Sequence, residues 1–497
     1  MKKYIGLFFV MLVAVSCDSL EDTYKDYAGD GPIRYIGKCT DLEVKPGWNR
    51  LTVSWTNSPD PVIDKILVTW SKDNDVRECV LDRGVSEYDI TGVDDGNYEI
   101  TVCSVDKDGN TSLKSTIYGR PYTPAHEMVQ SFTRVVSNHY FIKNRLVLLF
   151  QGWEDNVTEA HLAYTKTDGT PGRLDLDRAL VDKLYYLLPD AIDSTKPVEL
   201  YRSGHIVGCN DEIVFDSATL ENVRLFNADF KQEMKRQLGF DEDIPDSWAD
   251  SVEEIYFDRT IGNLSDLLYL TNLKKVVLGK HRYIRDEMVD DTSKSQSKIY
   301  DPALSDFVLA TLHELNPDFI VERYNKHYSS LATGSYIREM GQTSVPAYDY
   351  INLSGLRFTS DPEDTGGYLS YLENLTDNDI DTSWEPAGTR ELTTYNLTVN
   401  LGQMRTLHGL KLVQTYFTNI NKRSWCPSML RVFVSDDNET WRIPTYVEEI
   451  ELGDSTGEIN IVPFVSEGIS AQYVKIAVTT PHSESIYGIS LAELGIY

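Results

Sequence analysis

The stretch "LTDNDIDTSWEP", from Leu375 to Pro386, places four acidic side chains within twelve residues of an already acidic chain. These side chains belong to Asp377, Asp379, Asp381 and Glu385. Such a cluster admits three interpretations: a helix–loop–helix calcium site, a catalytic pair of carboxylates, or a loop that organises a fold. The choice among them decides what the terminal region of the chain does.

The helix–loop–helix calcium template fits only the first part of this stretch. Asp377, Asp379 and Asp381 occupy its first, third and fifth positions. The template requires Gly at its sixth position and Glu at its twelfth, where the chain has Thr382 and Gly388. A glycosidase pair instead needs two carboxyl groups about 5–10 Å apart on a scaffold that surrounds a sugar, and no part of the chain has the pattern of a catalytic barrel. We therefore expect a fold-organising loop and no enzyme.

Characteristic segments follow the acidic stretch: "YNLTVNLGQMRTLHGLKLV", "MLRVFVSDDNETW", "AQYVKIAV" and "ISLAELGIY". Together with it they resemble, in order and spacing, an F5/8 type C (discoidin) domain over residues 351–497. The resemblance implies a galactose-binding-like β jelly roll, the fold of many carbohydrate-binding modules. That family has Gly after the first acidic residue of the loop, where this chain has Asn378. Asparagine tolerates left-handed backbone angles, so we expect the loop to keep its shape.

The resemblance also implies a structural calcium ion, held by hard oxygen ligands in the acidic loop and on the last strand. Its ligands would be Asp377, Asp379, Thr382 and Glu493. A solvated acidic loop without metal is the alternative. The resemblance also implies that Trp384 and Trp441 are core residues of the jelly roll.

Domains of this family bind ligands through loops at one end of the barrel. Aromatic rings stack on a sugar while planar polar groups take its hydroxyls, so loop residues of both kinds are candidates. The candidates are Tyr368, Tyr416, Phe417, Asn419, Arg423, Trp425, His482 and Tyr487. Trp425 has a second interpretation, because its ring can equally plug the end of the barrel.

The N-terminus has the pattern of a signal peptide over residues 1–16. Lys2 and Lys3 precede an apolar run that is too short to span a bilayer with ease. The sequence Ala14-Val15-Ser16-Cys17 resembles a bacterial lipobox, which implies that Cys17 is lipidated. An ordinary secretory signal with an incidental cysteine is the alternative.

The segment after Cys17 is polar and acidic and lacks an apolar period, so residues 17–36 are predicted to form a flexible tether. Acidic residues behind the lipidated cysteine resemble the surface-export signal of Bacteroidota-type lipoproteins. That resemblance implies an outer-membrane protein, anchored by lipid alone and facing the cell exterior.

Two tandem sandwiches are predicted after the tether. "RLTVSW", "KILVTW" and "YEITVCSV" alternate apolar and polar residues, as strands of an antiparallel sandwich do. Residues 37–120 resemble a fibronectin type III domain, with Trp55 in the core and Tyr98 as a tyrosine corner. "RLVLLF" and "EAHLAYT" repeat this pattern 95 and 94 residues later, which indicates a second, diverged sandwich over residues 121–217.

Residues 218–345 change period. An amphipathic helix is predicted over "NADFKQEMKRQLGF", and "VEEIYF" and "LKKVVL" repeat at 21 residues. The repeat resembles leucine-rich repeats, but two copies are too few for a solenoid. We therefore predict a small α/β connector within a mainly β, multidomain chain.

The net charge of −30 argues against nucleic acid and anionic membrane surfaces as partners. Apart from Cys17, the cysteines have no CxxC spacing and are expected to be small buried hydrophobes. The chain resembles the glycan-binding lipoproteins that accompany polysaccharide-utilisation systems. The resemblance implies a polysaccharide ligand and outer-membrane glycan-uptake proteins as partners. The alternative is a protein-interaction or structural surface protein that binds no glycan.

Overall fold

The computed structural model describes residues 35–241, 243–284, 296–363, 371–417, 425–465, 467–483 and 486–497. The predicted signal peptide, Cys17 and most of the tether lie outside these residues, as do Tyr368, Asn419 and Arg423. The described chain is mainly β and consists of several sheets, which confirms the predicted multidomain β fold class. Among the described residues, no helix combines the length and apolar character needed to cross a bilayer.

The first unit is an antiparallel sandwich. Its strands are β1 (Thr40–Gly47), β2 (Arg50–Thr56), β3 (Ile63–Lys72), β4 (Asp75–Asp82), β5 (Glu87–Thr91), β6 (Tyr98–Asp106) and β7 (Ser115–Gly119). One sheet has the order β1-β2-β5 and the other β4-β3-β6-β7. Trp55 is buried in the core, and the Asp94 N–H donates to Tyr98 Oη at 3.1 Å, as expected for a tyrosine corner.

The second unit is also a sandwich, with strands where the repeated pattern predicts them. It contains α1 (Glu127–Gln130), β8 (Val136–Ile142), β9 (Arg145–Phe150), β10 (Val157–Thr165), β11 (Pro171–Asp175), α2 (Arg178–Val181), β12 (Tyr185–Leu187), β13 (Glu199–Gly204), β14 (Ile213–Val214) and β15 (Ala218–Thr219). One sheet has the order β12-β9-β8 and the other β11-β10-β13-β14, with β15 paired to β13. The strand β9 coincides with "RLVLLF".

The third unit is a parallel sheet with helices. It contains α3 (Ala228–Leu238), α4 (Asp246–Ser251), β16 (Glu254–Phe257), β17 (Lys275–Leu278), α5 (Pro302–Leu315), β18 (Ile320–Tyr324) and β19 (Ile337–Met340). The sheet order is β16-β17-β18-β19, and Glu254 pairs with Lys275, so the predicted repeat of 21 residues is the register of the first two strands. Its core is continuous with Tyr140 and Val147 of the second sandwich.

The fourth unit is a jelly roll. It contains β20 (Thr359–Asp361), β21 (Thr394–Leu407), β22 (Gly409–Gln414), β23 (Met429–Ser435), β24 (Ile450–Glu451), β25 (Ile459–Pro463), β26 (Ile469–Thr479), β27 (His482–Ser483), β28 (Ile486–Tyr487) and β29 (Leu491–Ile496). The larger sheet has the order β20-β21-β26-β23-β24, and it packs on a β25-β22-β29 sheet. Trp384 is fully buried in the core between them, as predicted.

Ion pairs join neighbouring units. Arg50 of the first sandwich pairs with Asp211 of the second at 2.7 Å. Arg282 of the connector donates through Nη2 to Glu458 Oε2 of the jelly roll at 2.8 Å, and both side chains are buried. The described cysteines are free, and all but the half-buried Cys79 are buried, so they serve as small apolar residues.

Candidate functional site

The acidic loop folds around its own carboxylates. Asp377 Oδ1 accepts the backbone N–H of Asp379 at 2.8 Å, and Asp379 Oδ1 accepts that of Asp381 at 3.0 Å. The Thr382 hydroxyl donates to Asp377 Oδ2, also at 2.8 Å. Asn378 has a φ of +65°, which is the left-handed angle expected where the family has Gly. The loop therefore folds on hydrogen bonds that its own backbone and Thr382 donate to two of its carboxylates.

Glu493 faces this loop from the last strand. Its side chain is buried, and Oε2 has no hydrogen-bond partner among the described residues. Burial raises the pKa of Glu493 to about 7, and the charges of Asp377 and Asp379 add to the rise, while Lys411 opposes it. A buried carboxylate oxygen beside two further carboxylates is the environment that a cation stabilises.

The acidic loop contains carboxylate, carbonyl and hydroxyl oxygens, which are the kinds of donor that calcium takes. In the described part of the chain, no group of three or more His, Cys, Asp or Glu side chains is arranged to hold a metal ion. Calcium takes part of its shell from carbonyl and hydroxyl oxygens, and the Asp379 carbonyl and the Thr382 hydroxyl lie 3.0 Å apart in this loop. Asp377, Asp379 and Thr382 are therefore linked by hydrogen bonds, while Glu493 Oε2 on the last strand has no hydrogen-bond partner among the described residues. Calcium binding by these four residues stays a prediction.

The predicted ligand-binding loops are tied together at one end of the barrel. Thr389 and Tyr487 exchange backbone hydrogen bonds of 2.8 and 2.9 Å. The Ser490 N–H donates to the Trp425 carbonyl at 3.1 Å, and the hydroxyls of Thr415 and Ser490 lie 2.8 Å apart. These bonds connect the loop after β22, the loop after β26 and the segment before β21.

Trp425 lies beneath this surface. It forms a small apolar cluster with Phe417 and Cys426, and only 9% of Trp425 and 8% of Phe417 is exposed. Gly488 packs flat on the indole, because a Cβ there would lie 2.4 Å from Trp425 Cε2. Of the two interpretations of Trp425, the structure favours the plug, and Phe417, predicted as a ligand residue, shares that packed position.

Tyr416 and Tyr487 are half-buried, and each is next in sequence to a residue of the packed region around Trp425. Tyr416 adjoins Phe417, and Tyr487 adjoins the glycine that covers Trp425. His482 pairs with Tyr487 in the β27–β28 hairpin. The structure thus brings Tyr416, Tyr487 and the backbone of His482 to the end of the barrel that the cluster supports.

Trp441 is not a core residue, contrary to the prediction. Its ring is partly exposed, and Lys475 Nζ lies 3.9 Å from the ring centroid. Lys475 is also 5.1 Å from the centroid of Phe433, which points outward on β23. The turn after β23 returns the chain to the outer face of the larger sheet, so the indole is covered by a lysine and not by the core.

Gln414 is a supporting residue that sequence reasoning missed. Its side chain is fully buried and donates to the carbonyls of Pro427 and Gly453 at 2.8 and 2.9 Å. The amide therefore ties the end of the loop that contains Trp425 to the segment that follows β24. A polar residue at the end of the apolar run "GLKLVQ" was the available signal.

Comparison with known families divides the chain. The F5/8 type C domain model matches residues 358–493, so the terminal unit is an F5/8 type C domain. The model of DUF4998, a domain of unknown function, matches residues 17–196. A search of curated proteins finds no match.

Solved structures resemble separate parts of the chain. A CBM32 domain, CBM32-3 of a family 31 glycoside hydrolase from Clostridium perfringens, is 23% identical, with 30% of this chain and 94% of that chain covered and a TM-score of 0.24. The family 32 CBM of Clostridium perfringens NanJ, solved with galactose, is 19% identical, with 30% and 96% covered and a TM-score of 0.24. A two-domain fibronectin type III segment of chicken tenascin is 16% identical, with 37% and 99% covered and a TM-score of 0.19.

Proposed function

We propose that this protein is a cell-surface lipoprotein that binds a polysaccharide through the loop end of its F5/8 type C domain, in support of glycan capture and uptake. The observation that carries the proposal is the family match over residues 358–493 together with the tyrosines at the end of that domain. Tyr416 and Tyr487 offer amphipathic rings beside backbone polar groups, which is the mixture that sugars require.

A site of this kind binds weakly on its own. Because it desolvates few atoms, we expect a dissociation constant of roughly 10⁻⁴ to 10⁻³ M for a short sugar. Anchored copies side by side would contact one repeating polymer together. Once one copy has bound, the neighbouring copies meet the same polymer at a high effective concentration, so weak contacts add up to strong retention of the polymer. The tandem sandwiches act as spacers that let neighbouring terminal domains reach the same polymer.

The anchor of this arrangement is Cys17. Its lipidation would hold the protein at the outer membrane, next to the glycan-uptake proteins proposed as partners. Cys17→Ala should move the protein from the detergent phase to the aqueous phase on phase separation. Unchanged partitioning of this variant would contradict the lipid anchor and leave the glycan site untouched.

Calcium has a structural role in this proposal. Asp377, Asp379, Thr382 and Glu493 would hold the ion, and its charge would offset the influence of the two aspartates on the buried Glu493 carboxyl group. The ion would stabilise the jelly roll that carries the loop end and would take no part in a reaction.

A glycan array probed with the full chain in detergent tests the proposal. We expect binding to repeating polysaccharides and negligible binding to monosaccharides. Tyr416→Ala and Tyr487→Ala should remove that binding. An array without any glycan hit, with the chain folded, would contradict the proposal and leave the protein-interaction alternative.

A further inference from the structure

A cavity of about 610 Å³ lies in the second sandwich, against the first. This volume falls in the range of about 300–1,000 Å³ that is typical of small-ligand sites. Trp48, in the turn between β1 and β2, contributes one wall, and its backbone N–H donates to Asp211 Oδ2 at 2.8 Å. Because Arg50 also pairs with Asp211, the wall from the first sandwich is fixed in place.

Two arginines that line this cavity have no carboxylate partner among the described residues. Arg202 donates through Nη1 to the Thr133 carbonyl at 2.8 Å, while its Nε is buried and has no hydrogen-bond partner among the described residues. Arg134 is exposed, and within the described ranges its guanidinium takes part in no ion pair. In the part of the chain that the structure describes, both positive groups therefore line the cavity without a bound counter-charge.

Their environment favours an anion. Burial lowers the pKa of Arg202, and the positive charge of Arg134 lowers it further. Asp216 also lines the cavity, but neither arginine pairs with it in the described part of the chain. An incoming oxyanion would supply the missing acceptor through charge-assisted hydrogen bonds. Such a basic lining is unusual in a chain with a net charge of −30.

The rest of the lining suits a sugar. The guanidinium carbon of Arg202 lies 5.6 Å from the centroid of Phe215, whose ring stacks on Phe132 at 4.3 Å. Gln130 and Asn138 add planar polar groups on the same lining. Aromatic surface, amides and a pair of cations together can hold a ring, its hydroxyls and an acidic substituent.

We infer that this cavity binds a sugar unit that carries an oxyanion, either carboxylate or sulfate, and so forms a second site for an acidic glycan. The inference rests on the proposed function in one respect, namely that the ligand is a glycan. The site itself is separate from the loop end of the terminal domain.

Calorimetric titration of the full chain in detergent tests the inference. The probes are a tetrasaccharide of galacturonic acid, its neutral methyl ester and a sulfated galactose tetrasaccharide. We expect one or both charged probes to bind and the neutral ester to bind at least about tenfold more weakly. The charged probe that binds identifies the oxyanion.

The variant Arg134→Gln tests whether the charged probe binds in this cavity. Arg134 is exposed and makes no ion pair among the described residues, so its replacement should leave the fold intact. We expect it to weaken binding of the charged probe by about tenfold or more, and Arg202→Gln to do the same. Arg338→Gln, an exposed arginine on β19, is the matched control and should leave binding unchanged.

Three outcomes would overturn the inference: neither charged probe binds, the ester binds as tightly, or Arg134→Gln binds like the wild type. Tyr487→Ala separates this site from the terminal one. Loss of the charged probe in Tyr487→Ala but not in Arg134→Gln would assign acid binding to the terminal domain and overturn the inference. Array binding of neutral glycans without any binding of charged probes would overturn it while leaving the proposed function intact.

Discussion

The loop end of the terminal domain and the arginine cavity of the second sandwich are built in opposite ways. The loop end is aromatic, and its floor is a compact cluster of Phe417, Trp425 and Cys426. The cavity is basic, and its lining comes from both sandwiches. A conspicuous aromatic residue can thus serve as structural support, while arginines that no sequence motif singles out line a cavity.

The strongest test of this contrast is Trp425→Ala. Because the indole is buried against Gly488 and Phe417, its removal should lower the free energy of unfolding by about 3–5 kcal/mol. Chemical denaturation followed by fluorescence would measure the change. Trp441→Ala is the control, because this partly exposed ring should cost far less. A negligible loss of unfolding free energy in Trp425→Ala would indicate instead that the ring belongs to the binding surface.

Calcium should produce the next largest effect. An ion that binds only the folded state stabilises by about 2.7 kcal/mol at a hundredfold excess over its dissociation constant. We expect calcium to raise the melting temperature of the wild type and a chelator to reverse the rise. Asp377→Ala combined with Glu493→Ala should abolish the response. If neither calcium nor the chelator changes the melting temperature of the wild type, the loop binds no metal.

Gly488→Ala tests the packing of the same cluster from the glycine that contacts the Trp425 indole. The new Cβ would fall within 2.4 Å of the indole, so the ring or the loop has to shift. Overpacking of this kind costs about 1–3 kcal/mol. Thermal unfolding and near-ultraviolet circular dichroism would report the loss and the displaced tryptophan. Gly84→Ala, which meets nothing within 4 Å, should be silent.

Salt should separate the two sites by a smaller effect. Raising ionic strength from about 0.05 M to about 0.5 M shortens the range of charge interactions severalfold. Binding of an acidic oligosaccharide to the cavity should therefore weaken, while retention on a neutral polysaccharide should stay constant. Titrations at both salt concentrations would show this. Equal salt dependence would contradict the distinction between a basic and an aromatic site.

Much of the fold was predictable because its signals are local. The strand β9 coincides with an apolar run, and the parallel pairing of Glu254 with Lys275 has the separation of the sequence repeat. The left-handed angle at Asn378 was expected from the resemblance, because the family has Gly there and asparagine tolerates the same angle. Periodicity and backbone preference act within a few residues, so the sequence displays them directly.

The details of the sites depend on distant contacts. The burial of Trp425 requires Gly488 from another loop, and the position of Trp441 depends on Lys475 from a different strand. Arg134 and Arg202 are 68 residues apart and share no motif, so nothing in the sequence links them. Apolar patterns identify strands but do not reveal which side chains meet between loops.

The most direct test of the central claim is retention on an immobilised neutral polysaccharide, chosen from the glycan array, by the full chain and two variants. Tyr487→Ala removes a half-buried ring at the loop end, whereas Trp441→Ala removes a partly exposed ring on the outer sheet face of the same domain. We expect Tyr487→Ala to lose retention with an unchanged melting temperature and Trp441→Ala to be retained like the wild type. Equal retention of all three proteins, or loss only in Trp441→Ala, would contradict the claim.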